Sequence, residues 1–174
     1  MSIDFIAMFE KKETFYASFV DGMEKILYNG VTLIFHAVGN RDLESMYDIC
    51  NFLLDKKIDV TCVDKDQDSI LHLLLSKKEH DINKTTSLCK RLIDSGADIN
   101  ALNKNKAVAL KMMLFMKHTD EELEPLYDLW FSQPFVNLLT KDKWGLTPID
   151  FAKRAPYRTK IVERMEKYVQ EGKN

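Results

Sequence analysis

The feature that most constrains the fold is a turn-and-helix pattern that recurs along the chain at a nearly constant interval. Its clearest copy is the run from Asp142 to Ala152, which reads DKWGLTPIDFA. Counterparts of Gly145 lie at positions 30, 67 and 106, so that the spacing between successive copies is almost the same each time. Three nearly equal intervals predict one structural unit repeated along the chain.

Within each unit, the residue types predict a turn followed by two helices. Thr147 is expected to cap the first turn of a helix, and Pro148 takes the first helical position, whose N–H has no partner inside the helix. Gly96 follows an apolar pair and is expected to end a second helix in the left-handed conformation. The residues that carry this pattern across the copies are Thr32, Ser69, His72, Gly96, Asp98, Gly145, Thr147 and Pro148.

Together these segments resemble the ankyrin repeat. Its turn and first helix read D-x-x-G-x-T-P-L-H-x-A, and its second helix closes with LLxxGADxN. Residues 92–100 and 142–152 carry the resemblance most fully, residues 29–37 and 64–74 match in part, and residues 103–113 match least. Because the intervals exceed the usual ~33 residues of this repeat, longer helices or longer loops between them are expected.

The resemblance implies an all-α fold, an ankyrin-repeat solenoid of paired antiparallel helices with hairpin-like loops and helical caps at both ends. Residues 1–174 are expected to form a single domain of the small stand-alone, bacterial type. The expected parts are an N-terminal cap at 1–28 and repeats at about 29–63, 64–102, 103–141 and 142–170, the last serving as the C-terminal cap.

Apolar spacing predicts helices at both ends of the chain. In the first helix, Ile3 and Ile6 are expected to share one face with Phe5 and Phe9. At the other end, residues 158–169 are expected to form an amphipathic helix that carries Arg158 on its polar side. A further helix near the N-terminus is predicted from the spacing of Phe15, Tyr16, Phe19, Val20 and Met23.

For function, the resemblance implies a non-enzymatic module that binds another protein on a concave surface of turns and first helices. One version is an inhibitor or immunity-type protein that covers the active site of a toxin. The alternatives are an adaptor or scaffold that assembles a cellular or host complex and, less favoured, an enzyme. His72 stands at the histidine of the motif, where a hydrogen bond to a neighbouring turn is expected, so no catalytic residue is assigned.

The candidate binding residues occupy equivalent turn tips, which a repeated unit places in one row. Trp144 is the expected apolar anchor because the turn itself needs no large aromatic side chain; packing against Phe135 or Leu138 is the alternative. Lysines at three tips favour an acidic partner. The candidates are Lys65, Asp66, Gln67, Lys104, Asn105, Lys106, Lys143 and Trp144, with Phe115 from the first helix of the weakest copy.

Composition narrows the classes of function. The net charge of −2 and the pI of about 6.1 argue against a nucleic-acid or membrane-surface role.

The three cysteines are few and scattered. Cys62 lies near a turn, Cys50 and Cys89 take equivalent core positions, and this sparse set favours a reducing compartment. With no membrane-length apolar run and no secretory signal, a cytoplasmic monomer is expected. Because the His and Cys spacings form no ligand set, neither a metal nor a cofactor is expected.

Overall fold

The computed structural model describes residues 1–173 and builds them mostly from helices, in agreement with the predicted class. The α-helices are α1 (Ile3–Phe9), α2 (Lys12–Ser18), α3 (Leu33–Val38), α4 (Leu43–Asp55), α5 (Ile70–Leu75), α6 (Ile82–Asp94), α7 (Leu110–Met113), α8 (Asp120–Phe131), α9 (Pro148–Lys153) and α10 (Thr159–Gln170). A 3-10 helix (Met23–Lys25) and a two-stranded antiparallel sheet of β1 (Leu27–Tyr28) and β2 (Val31–Thr32) lie between α2 and α3.

The helices lie in two rows. The odd-numbered helices contact one another in chain order from α1 to α9, and the even-numbered helices do the same from α2 to α10. Four of the five even-numbered helices have 12 or 13 residues, whereas the odd-numbered helices have 4 to 7. The buried apolar side chains form one core from Ile3 to Tyr168, so each helix is stabilised mainly by its neighbours in the two rows.

Three turns, each directly ahead of an odd-numbered helix, share one hydrogen-bond pattern. In the first turn, Asp64 Oδ1 accepts from the backbone N–H groups two and four residues later, at 2.8 and 2.9 Å. Asn103 Oδ1 does the same at 2.9 and 3.1 Å, and Asp142 Oδ1 at 2.8 and 3.1 Å. Side chains of this kind favour turns because they replace backbone acceptors locally.

The backbone of these turns is left-handed at the position where the pattern has glycine. The φ angles are 59° at Gln67, 56° at Lys106 and 79° at Gly145. A side chain in this region is uncommon, since only glycine adopts it without steric cost. The first hairpin uses left-handed residues too, with φ of 53° at Asn29 and 85° at Gly30, as a two-residue hairpin turn requires.

Several of the motif residues make the contacts that their positions predict. His72 Nδ1 accepts from the backbone N–H of Ser69 at 3.2 Å, so the ring donates through Nε2 to the carbonyl oxygen of Ala107 at 2.9 Å. This bond joins α5 to the next turn, as expected for the motif histidine. Thr147 caps α9 by accepting from the N–H of Asp150 at 3.1 Å.

Of the other motif residues, Pro148 and Gly96 match their predicted roles, whereas Thr32 does not. Pro148 is the first residue of α9, and Gly96 follows α6 with a φ of 107°. Asp98 closes its own turn by accepting from the N–H of Asn100 at 2.8 Å. Thr32, unlike Thr147, makes no side-chain cap; its hydroxyl instead donates to the carbonyl oxygen of Asp59 at 2.7 Å.

The N-terminal helices correct part of the predicted pattern. Ile3 and Ile6 are buried as expected, but Phe5 and Phe9 are 46% and 44% exposed, because α1 turns them away from α3. The helix α2 ends at Ser18, so the later apolar residues of the predicted run do not continue it. Phe5 was wrongly grouped with Ile3, because residues two positions apart lie about 200° from each other around a helix and so face opposite sides.

The two cysteines predicted for the core are buried. Cys50 and Cys89 are both 0% exposed, and burial raises the pKa of Cys50 to about 12 and that of Cys89 further still. Cys62 is half-buried beside Thr32. None of the helices in residues 1–173 is long and apolar enough to cross a membrane.

Arg158 is not on the polar face of the last helix, as the sequence predicted, but buried at 1% exposure. It immediately precedes α10, so its side chain runs back under the loop that joins α7 to α8. The guanidinium donates to the carbonyl oxygens of Leu114, Met116 and His118 at 3.2, 2.6 and 2.8 Å. It also lies 3.4 Å from Asp120 Oδ1, which compensates its charge.

We expect the substitution Arg158→Met to destabilise the protein by about 3–5 kcal/mol, because it leaves the carboxylate of Asp120 buried without its cation. Urea unfolding would measure the loss. The matched control is Arg154→Met, which removes an exposed guanidinium four residues earlier and should leave the unfolding midpoint nearly unchanged. Equal losses for the two variants would show that the buried guanidinium is not stabilising this loop.

Candidate protein-binding surface

The predicted tip residues lie in one row because consecutive turns are hydrogen-bonded to each other. The backbone N–H of Lys104 donates to the carbonyl oxygen of Asp66 at 3.0 Å, and the N–H of Lys143 donates to that of Asn105 at 2.9 Å. The exposed members of the row are Lys65, Gln67, Lys104, Lys106, Lys143 and Trp144, and the half-buried members are Asp66 and Asn105. Lys104 and Asp66 also form an ion pair at 2.6 Å.

Trp144 is 60% exposed, so it is not buried against the neighbouring loop that carries Phe135 and Leu138. Instead, two lysine ammonium groups lie over the face of its ring. Lys143 Nζ lies 4.4 Å from the ring centroid and Lys111 Nζ lies 4.9 Å from it. Both distances are within the range of cation–π attraction. The aromatic surface is therefore held in place while most of the side chain remains in contact with solvent.

Lys111 is a residue of this surface that sequence analysis did not single out. It is 7% exposed, and its Nζ lies 2.6 Å from Asp142 Oδ2 and 4.3 Å from the ring centroid of Phe151. Lys111 occupies the position in α7 that His72 occupies in α5, one repeat interval earlier. This equivalence is the feature of the sequence from which Lys111 could have been identified. In both helices this position makes a polar bond to the following turn.

The pKa of Asp142 is set by hydrogen bonds that outweigh the effect of its burial. Burial alone would raise the pKa of Asp142, but the hydrogen bonds from Lys111 and from the backbone N–H groups of Leu146 and Trp144 hold it below its usual value. The carboxylate is therefore the charged partner that Lys111 requires. A buried pair with this many donors is a rigid support for the turn below Trp144.

Phe115 is 61% exposed, whereas the neighbouring Met116 is buried. The rings of Phe115 and Phe151 have centroids 5.2 Å apart. Contacts thus run without interruption from Trp144 through Lys111 and Phe151 to Phe115. We call these four residues the aromatic ridge. It joins two predicted binding residues with two that the sequence analysis left out.

Two grooves flank Phe115 at the end of the odd-numbered helices that lies away from the turn tips. One, of about 640 Å³, is formed by the loops α7–α8 and α9–α10 and has Tyr157 and Glu122 in its wall. The other, of about 280 Å³, lies between the ends of α5 and α7 and is lined by Met112, Lys78 and Lys117 among others. Phe115 is shared by both, so it projects from a wall between two concave surfaces.

A search against protein-family models finds no match, and no curated protein matches the chain. Among solved structures, the chain is similar to a functionally unknown protein from Leptotrichia buccalis C-1013-b. The identity is 31% and the TM-score 0.86, covering 99% of this chain and 95% of that chain. The chain belongs to the same family as that protein. The two share a fold over nearly their whole length.

Three side chains with reactive groups, His72, Cys50 and Cys89, are occupied in structural contacts or buried. Both ring nitrogens of His72 are within hydrogen-bond distance of backbone groups, and the thiols of Cys50 and Cys89 are kept protonated by burial. Within residues 1–173, no group of three His, Cys, Asp or Glu side chains is placed to hold a metal ion. What the surface presents to solvent is an aromatic ridge and a row of lysines.

We expect Lys111→Met to cost about 3 kcal/mol of stability, near the lower limit for breaking a buried ion pair, because Asp142 keeps its two backbone donors. Chemical denaturation followed by circular dichroism would measure this loss. Lys104→Met is the matched control, since its ion pair with Asp66 is exposed and should contribute much less. If the control variant lost as much stability as Lys111→Met, the support assigned to the buried pair would be wrong.

Proposed function

We propose that this protein is an ankyrin-type solenoid that acts as a monomeric, non-enzymatic binding module for another protein. The observation that carries the proposal is the aromatic ridge, in which Trp144 and Phe115 are 60% and 61% exposed on a surface that buried contacts hold rigid. Large aromatic side chains anchored in this way are typical of the residues that contribute most to protein–protein affinity.

The solenoid assignment is supported by the turns. Asp64, Asn103 and Asp142 repeat one hydrogen-bond pattern at equal intervals along the chain, and a backbone hydrogen bond joins each turn to the next. Stacked units of this kind expose a continuous surface that a compact domain of the same size lacks. The row of turn tips and the exposed side of the odd-numbered helices form that surface.

The non-enzymatic assignment is supported by how the surface is made. Its cations and aromatic rings suit binding, since a desolvated aromatic contributes affinity and a lysine contributes orientation and association rate. Catalysis would need a nucleophile or a base within reach of a bound substrate. Among the ionisable side chains nearby, the ammonium of Lys111 is held by Asp142, and His118 Nδ1 lies 3.6 Å from Glu122 Oε2 in the wall of the larger groove.

Affinity capture with a ridge variant tests the proposed function. The tagged wild-type protein should retain at least one protein from a lysate of its source cells, and the double variant Trp144→Ala/Phe115→Ala should lose it. A loss of about 2 kcal/mol at each anchor corresponds to a roughly 30-fold weaker affinity per residue. The melting temperature should stay close to that of the wild type, because both side chains are mostly exposed.

The matched control removes two exposed phenylalanines outside the ridge, Phe9 and Phe135, which are 44% and 49% exposed. Phe9→Ala/Phe135→Ala should capture the same protein as the wild type. Retention by the ridge variant, or equal loss in the two double variants, would contradict a binding site at the ridge. A wild-type protein that captures nothing would contradict the proposed function itself.

A further inference from the structure

Two rows of cationic side chains border the odd-numbered helices. The first row is at the turn tips, where Lys65, Lys104 and Lys143 recur at equal intervals. The second row follows the opposite ends of α3, α5 and α7. It consists of Arg41, Lys78 and Lys117, which recur at nearly the same interval as the first row. Equivalent positions in stacked units project in the same direction, so each set forms a line across the units.

An apolar stripe lies between the two rows. Leu73, Met112 and Phe151 hold equivalent positions in α5, α7 and α9, again at equal intervals, and each is half-buried. Met112 shares the smaller groove with Lys78 and Lys117, which ties the stripe to the second row. At the other side, Lys111 joins Phe151 to the ring of Trp144, which lies beside Lys143 of the first row.

Most of the cations in the two rows form no ion pair in the part of the chain that the structure describes. Of the six cations, Lys104 is paired with Asp66, and the other five form no ion pair within the described residues 1–173. Acidic side chains also lie near the rows. Asp64 and Asp68 are close enough to act on the charge of Lys104, and Glu122 lines the same groove as Lys117. Glu79 follows Lys78 in the sequence, and the carboxylate of Asp150 accepts from the N–H of Thr147.

The even-numbered helices differ in this respect, because ion pairs connect them to one another. Lys84 binds Glu44 at 2.5 Å and Arg91 binds Asp55 at 2.5 Å, both between α6 and α4. Between α10 and α8, Arg164 binds Asp128 at 2.6 Å, and also Glu124. Among the described residues, the side that carries the aromatic ridge has fewer such pairs between neighbouring units, namely Lys104 with Asp66 and Lys111 with Asp142.

We propose that this surface binds an acidic amphipathic helix of the partner protein. The inference rests on the proposed function and specifies the chemistry of the partner. An apolar stripe with cations along both edges matches a helix that presents an apolar stripe with carboxylates along both edges. A β-strand would place its acidic side chains on the face opposite its apolar ones, where they could not reach both rows.

The dimensions of the surface suit such a helix. Neighbouring helices pack about 8–10 Å apart, so three units span roughly 20 Å across the stack. A helix rising 1.5 Å per residue needs about 13 or 14 residues to cover this length. Duplex nucleic acid would satisfy the two cationic rows, but its phosphates would leave the apolar stripe uncovered, so the stripe favours a protein helix over a duplex. A single strand could cover the stripe with its bases and is therefore the competitor used in the binding test.

Fluorescence anisotropy with three labelled 14-residue peptides tests the inference on the full chain. The first has a leucine stripe flanked by glutamates, the second has lysine in place of each glutamate, and the third is the first in scrambled order. The acidic amphipathic peptide should bind at least tenfold tighter than either of the others, and its affinity should fall with added salt. Absence of binding, or equal affinity for the scrambled peptide, would overturn the inference.

Two sets of variants locate the site. Changing Lys65, Lys78, Lys117 and Lys143 together to glutamine should weaken binding of the acidic peptide at least tenfold. The control makes the same change in charge at four exposed lysines elsewhere: Lys25, Lys90, Lys167 and Lys173. Equal weakening in both sets, or displacement of the peptide by a 14-nucleotide single-stranded DNA at lower concentration than by unlabelled peptide, would contradict the proposal.

The peptide result and the capture result are independent. If the ridge variant abolishes capture of a protein while the peptides show no preference, the surface is correct and its partner is not an acidic helix. If capture does not depend on the ridge, the proposed function fails whatever the peptides show.

Discussion

The structure depends on one local interaction, the hydrogen bonding of a side-chain oxygen to the backbone of its own turn. Asp64, Asn103 and Asp142 each accept hydrogen bonds from two backbone N–H groups. These bonds hold the residue three positions later in a left-handed conformation, which Gln67 and Lys106 would otherwise avoid. The turn direction fixes where each odd-numbered helix begins. Because the turns are alike, they also hydrogen-bond to one another, and their tips form a line.

The shortest helix shows how burial of charge supplements this pattern. The helix α7 has only four residues, too few to be stable without tertiary contacts. Lys111 fixes it to the turn that follows, and Arg158 binds the carbonyl oxygens of Leu114 and Met116 just beyond its end. Phe115 lies between those two carbonyl groups. Two buried cations thus hold rigid the backbone from which the exposed aromatic ring projects.

These contacts explain which features could be predicted from the sequence. The turns, the cap at Thr147 and the bond made by His72 follow from residues within a few positions of each other or at one fixed interval. The interval also places the lysines of the turn tips in a row. The copy that matches the motif least has Asn103 where the other two turns have aspartate. Because asparagine makes the same contacts, this turn could be located correctly.

The errors concern residues whose environment is set by distant parts of the chain. Arg158 was placed on a polar face because its helix is amphipathic, but its partners lie about 40 residues earlier, and Lys111 is paired with Asp142, 31 residues later. A local pattern carries no information about such pairs. Phe5 and Phe9 were expected on the face of Ile3 and Ile6 for a different reason: residues two positions apart lie on nearly opposite sides of a helix, so this expectation did not follow the helical period.

We propose that the partner binds on the side of the odd-numbered helices and turn tips. Hydrogen–deuterium exchange of the complex with the captured partner, followed by mass spectrometry, tests it most directly. Exchange should slow in segments 104–117 and 143–154 relative to the free protein, and remain unchanged in the even-numbered helices α6 and α10. Protection confined to α6 and α10, with no change in the two segments, would contradict the account.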